Sequence, residues 1–132
     1  MTNLIQKELS FKVVGVLYKV HQQVGRYAKE RQYGDVLNEF FKKERIKFIR
    51  EHPIKIADRK SNFVDFLIND CLLLDLKAKP FISKEDYYQM RRYLDAANIE
   101  LGLIANFRQK YLKPKRVLNP NYILNSEHSD NS

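Results

Sequence analysis

Among its 132 residues the chain has one cysteine, Cys71, and no tryptophan. A lone thiol allows no internal disulfide and no cysteine-built zinc site, so Cys71 reads as a small apolar residue near a strand start. Long apolar runs are missing too. Cys71 to Leu74 is cut short by Asp75, far below the ~20 residues that span a bilayer. The polar opening Thr2-Asn3 begins no apolar signal core, and a cytoplasmic, membrane-free location is the expectation. With four glycines, the chain carries no P-loop, dinucleotide fingerprint, GxSxG elbow or internal repeat. Kinases, Rossmann dehydrogenases and serine hydrolases are thereby disfavoured.

Acid is in the minority. Against 16 Asp and Glu stand 24 Lys and Arg, a formal net charge of +8, which favours a polyanionic partner such as nucleic acid. The basic residues cluster at Lys42, Lys43, Arg45, Lys47 and Arg50, at Arg91 and Arg92, and at Arg108, Lys110, Lys113, Lys115 and Arg116. Of these, Lys42, Lys43, Arg91, Arg92, Arg108 and Lys110 are the candidate nucleic-acid contacts.

The informative stretch is SNFVDFLINDCLLLDLKAK, Ser61 to Lys79. It reads as two apolar strands, the first carrying Asp65 and the second Asp75 and Lys77. Ionised carboxylates among Val64, Phe66, Ile68, Leu72, Leu74 and Leu76 are costly unless a cation compensates them, and a metal ion is the economical compensation. On a strand, Asp75 and Lys77 point to the same face. Asp65 joins them if the connection has odd length or carries a bulge: a three-residue loop, Asn69 to Cys71, sets position 65 opposite 75, whereas a two-residue loop turns it away. The competing reading is a surface salt bridge of Lys77 with Asp65 or Asp75 on a solvated sheet face.

Periodicity places helices over about 4–24, 29–45 and 83–97. The first has an apolar side of Leu4, Phe11, Val14, Leu17, Tyr18 and Val24, with an internal restart available at Ser10, and ends at Gly25. His21, near that end, reads as a packed or capping histidine rather than a ligand, because no second His or Cys stands nearby. Tyr33, Val36, Leu37, Phe40 and Phe41 form the apolar side of the second helix. Glu30 in its first turn has two readings, an acid complementing the helix dipole or a third carboxylate facing the hairpin. Ile46 to Asp58 reads as a strand interrupted or bent at His52-Pro53, followed by a polar turn at Arg59 to Asn62. Ser83 opens the third helix with Asp86 as its capping partner. Leu101 to Phe107 reads as a buried parallel strand reached through that helix, and 115–118 as a further strand. A single domain over 1–118 with a polar tail over 119–132 follows, of α+β or α/β layered class with a mixed four- to five-stranded sheet flanked by helices.

These pieces resemble the GxxExxY protein family of the PD-(D/E)XK nuclease-like superfamily over about residues 10 to 118. The resemblance rests on His21 with Gly25, Glu30-Arg31-Gln32-Tyr33, Asp65, Asp75-Leu76-Lys77, Gln89 with Tyr93-Leu94, and GLIANF at 102–107. Where the family usually has a second glycine this chain has Tyr27, and its acid before the lysine is Asp75 rather than the frequent Glu. The resemblance implies a restriction-endonuclease-like core and a metal-dependent nuclease, with DNA the expected substrate over RNA. It implies Mg²⁺ or Mn²⁺ held by Asp65 and Asp75 with Glu30, Lys77 assisting the attacking water, and Gln89 positioning water or phosphate. A catalytically inactive module binding nucleic acid or a protein is the alternative, and a homodimer or larger assembly is compatible with either.

Overall fold

The computed structural model describes residues 2–56 and 62–124. Its elements run α1 (Thr2–Val24), α2 (Glu30–Lys43), β1 (Phe48–Ile54), β2 (Asn62–Ile68), β3 (Leu72–Lys77), α3 (Lys84–Ala97), β4 (Leu101–Asn106) and β5 (Lys115–Leu118). One mixed sheet has the order β1-β2-β3-β4-β5. The first three strands form an antiparallel meander, α3 carries the chain across to β4 parallel to β3, and β5 returns antiparallel. The class is α+β, as expected.

Two cores sandwich the sheet. Beneath α1 and α2, Val13, Val16, Leu17, Val20, Tyr33, Leu37 and Phe41 pack on Phe66, Ile68, Leu72, Leu74, Leu76, Leu103 and Ala105. Beneath α3, Met90, Tyr93 and Leu94 pack on Val64, Leu67, Leu73 and Ile104. Each such leucine or phenylalanine contributes about 1.5–3 kcal/mol by leaving water. Central β3 and β4 are covered on both faces, which explains their nearly unbroken apolar sequences. Gly102 has no Cβ because one would lie 2.6 Å from the Met90 sulfur.

Several boundaries differ from the sequence expectations. In α1 the buried face is Val13, Val16, Leu17 and Val20, whereas Phe11 is 83% exposed and Tyr18 48%. The two aromatics had drawn the predicted stripe off its true axis. The helix passes through Ser10 without a restart, and the buried Ser10 hydroxyl accepts from Arg116 at 3.0 Å. β1 continues across His52 and Pro53, which pair with Val64 and Phe63, because an edge strand spares proline the missing donor. Asn119 to Ile123, expected to begin a loose tail, is pinned instead. The Asn119 amide donates to Glu100 O at 2.9 Å, and the Asn98 side chain bonds both the N–H and the C=O of Ile123. The strand end at Asp58, most of the Arg59 to Asn62 turn, and residues 125–132 lie outside the described residues. No described helix is long and apolar enough to cross a membrane.

Candidate active site

The hairpin register decides the geometry. Ile68 pairs with Leu72, Leu67 with Leu73 and Phe66 with Leu74, so the connection is the three residues Asn69-Asp70-Cys71. Asn69 and Asp70 take φ of 49° and 58°, a region these two residue types tolerate. The odd loop puts Asp65 opposite Asp75. Asp65 reaches past the end of the paired segment, where one carboxylate oxygen accepts the Leu76 N–H at 2.6 Å.

A second distortion helps expose Asp65. Phe48 and Phe66 belong to the core under α1 and α2, yet Ile54 and Val64, each an even number of residues further along, belong to the core under α3. Both strands therefore switch faces between these positions. Pairing skips the intervening rung, where Glu51 and Asp65 stand between the pairs Arg50 with Phe66 and His52 with Val64. Glu51 adopts φ 54°, a left-handed conformation that strains a non-glycine residue. Nothing in the local sequence signals this turnover.

On β3, Asp75 and Lys77 share the face of Leu73, towards α3. The Lys77 ammonium lies 2.9 Å from Asp75 and 3.8 Å from Asp86, and Gln89 accepts from it at 3.4 Å. Burial works against the Lys77 charge, but Asp75, Asp86 and Glu30 outweigh it and raise the pKa. Asp65 is pushed up to about 8, first by burial and then by the charge of Asp75 and a hydrogen bond with it. The two carboxyls thus share a site that holds one negative charge comfortably and two only with a further cation.

Glu30 approaches from the N-terminus of α2. Gly25 ends α1 at φ 88°, and the Tyr33 hydroxyl donates to Gly25 O at 2.5 Å while accepting the Ala28 N–H at 3.2 Å. Tyr33 also stacks on Phe107 at 4.1 Å, and His21 donates through Nε2 to Gln109 O at 2.8 Å. The loop before Glu30 is thereby tied to the loop after β4. The Glu30 pKa is raised by burial and by Asp75, against the opposing pull of Lys77, the Ala78 amide and Lys79. Its carboxylate feels the site without joining the Asp65–Asp75 pair. Among the described residues, no three His, Cys, Asp or Glu side chains are gathered closely enough to hold a metal ion. The donor set fits a magnesium-like cation with two protein carboxylates and water, since Mg²⁺ keeps much of its hydration.

Some participants were not given site roles from sequence. Asp86, read as a cap, does accept the Ser83 N–H at 2.7 Å, but it also binds Lys79 at 2.5 Å. Buried Asn106 grips the Lys79 backbone from both sides, accepting its N–H at 3.1 Å and donating to its C=O at 2.8 Å. Tyr93 lies near Asp75, its pKa raised by burial and by that charge. An asparagine ending an apolar strand was the available signal for the clamp. A cavity of about 510 Å³ opens on the α2 side, lined by Glu30, Arg31, Arg50, Glu51, Asp65 and Leu76 among others, whereas Asp75, Lys77 and Gln89 do not line it. The expected basic contacts divide as well. Arg108 and Lys110 follow β4 at the site end, Arg91 and Arg92 are exposed on α3, and Lys42 and Lys43 sit at the far end of α2, about 18 Å along the helix from Glu30.

No curated protein and no solved structure gives a significant match to this chain. A family model does: that of the PD-(D/E)XK nuclease superfamily matches residues 7–117, from early α1 into β5. The order of strands and crossover agrees with the restriction-endonuclease-like fold of that group, and the chain belongs to the PD-(D/E)XK nuclease superfamily.

Proposed function

We propose that the protein is a metal-dependent nuclease that hydrolyses phosphodiester bonds, acting on DNA in preference to RNA, and that within its superfamily it is a GxxExxY-type member. The observation that carries this reading is the contact of two carboxyls from adjacent strands, Asp65 and Asp75, with Lys77 2.9 Å from the second. Asp65 and Asp75 would hold Mg²⁺ or Mn²⁺, with Glu30 acting at longer range. A divalent cation bound there supplies Lewis acidity, withdrawing charge from the phosphate under attack. The raised pKa of Lys77 keeps it cationic at neutral pH, so it serves by donating to the attacking water and to the phosphoryl oxygens rather than by removing a proton. Gln89 fixes the ammonium from behind.

A noncatalytic nucleic-acid-binding module is the second reading, favoured by the cavity, whose lining excludes Asp75 and Lys77. Digestion of linear and single-stranded DNA with Mg²⁺ or Mn²⁺ separates the two. Cleavage lost in both Asp75→Ala and Lys77→Ala supports the enzyme, and binding without cleavage under every metal and substrate supports the module.

A further inference from the structure

Two loops leave the end of the sheet where β3 and β4 finish, a third, between α1 and α2, lies beside them, and each presents a bare aromatic ring. Tyr27, in the loop before α2, is 76% exposed; Phe81, after β3, is 74%; Tyr111, after β4, is 71%. Singly, exposed rings need no explanation. Here two of them are backed by cations. The Arg26 and Arg108 guanidinium carbons lie 5.0 and 5.8 Å from the centre of the Tyr27 ring, and the Lys110 ammonium lies 5.5 Å from that of Tyr111.

The backing is built in. Arg26 Nε donates to Arg108 O at 2.8 Å, and Arg108 Nη2 donates to Ala78 O at 3.2 Å. Arg108 Nε is buried and finds no partner among the described residues, so its side chain is held by the Ala78 carbonyl on one side and by packing elsewhere. Ala78 directly follows Lys77, whose own carbonyl accepts the Phe107 N–H at 2.9 Å. A short path of contacts therefore joins Tyr27 to the proposed catalytic strand, and Tyr27 stands three residues before Glu30.

Alternating rings and cations suit one ligand chemistry. Phosphates are drawn to the guanidinium and ammonium groups, and bases stack on the rings, but only bases released from a duplex offer a free face. We propose that Tyr27 and Tyr111, backed by Arg26, Arg108 and Lys110, form a stacking platform for unpaired nucleotides, so that the substrate is single-stranded DNA or a frayed end. The substrate assignment rests on the nuclease reading above; the platform itself does not.

The test is binding of the full chain in EDTA, where no metal-dependent cleavage intrudes, to a labelled single strand of roughly 20 nucleotides and to its duplex, by fluorescence anisotropy at about 0.1 M salt. The single strand is expected to bind more tightly. Tyr27→Ala and Tyr111→Ala should each weaken it by about 5- to 100-fold while moving duplex binding less than about twofold, and Tyr27→Phe should stay near wild type. Both rings are exposed, so unchanged melting confirms that the variants fold. Single-strand affinity that ignores both alanine variants, or falls in equal measure for duplex, overturns the platform. Tyrosine-dependent single-strand binding by a chain that never cleaves supports the platform and removes the nuclease reading. Cleavage of DNA with silent tyrosines does the reverse.

Discussion

Replacing Asp65 by asparagine should abolish metal-dependent cleavage yet stabilise the metal-free fold at alkaline pH. Held at about 8 instead of its ordinary 3.8, the folded-state carboxyl keeps its proton while the unfolded chain has already released it. The folded state thus binds more protons between about pH 4 and pH 8, and stability falls as pH rises through that window. At 1.36 kcal/mol per pKa unit the penalty would be about 6 kcal/mol if Asp65 bore it alone. Shared with Asp75 across their hydrogen bond, about 2 kcal/mol is the expected recovery in Asp65→Asn, because the amide still accepts the Leu76 N–H and carries no charge. For a chain of this size that is an increase of roughly 5–10 °C in Tm at pH 8.5, shrinking to nothing near pH 4. Thermal melts of both proteins in EDTA across pH 4 to 9, about one pH unit apart, measure it. Added Mg²⁺ or Mn²⁺ should stabilise wild type at pH 8 and leave the variant unmoved. A variant less stable at pH 8.5 than at pH 4 relative to wild type would refute the electrostatic reasoning.

Three further substitutions probe the frame. Gly102→Ala should cost about 1–3 kcal/mol, since its new methyl meets the Met90 sulfur at 2.6 Å in the core; a denaturant titration showing no loss would contradict that packing. Glu51→Gly should gain up to about 1 kcal/mol by relieving the left-handed strain, and a loss in the same titration would mean that the carboxylate itself stabilises the rung. Asn106→Ala should lose about 1–3 kcal/mol by freeing both backbone groups of Lys79, visible as faster hydrogen exchange at the Lys79 amide.

The sheet, the pairing of Asp75 with Lys77 and the meeting of Asp65 with Asp75 were legible because the strand period of two converts charge spacing directly into facing, and joining the two acids required an odd loop or a bulge. α3 and β4 were readable from the Ser83 cap and from an apolar strand too continuous for a solvated edge. What escaped depended on groups far apart in the chain. Phe11 and Tyr18 are large enough to suggest a buried stripe, but the neighbours that set the real face of α1 come from α2 and the sheet. Pro53 carried the obvious break signal, yet the actual distortion sits at Glu51, whose residue type gives no hint of positive φ. Asp86 satisfied its local rule as a cap, and that hid its second engagement with Lys77 and Lys79.

Calorimetric titration of Mn²⁺ into the metal-free protein bears most directly on the proposal that the Asp65–Asp75 pair is a cation site beside Lys77. Saturable binding at pH 8 that releases protons, and that disappears in both Asp65→Asn and Asp75→Asn, is the predicted result. Absence of uptake by wild type, or uptake that survives both substitutions, would contradict it.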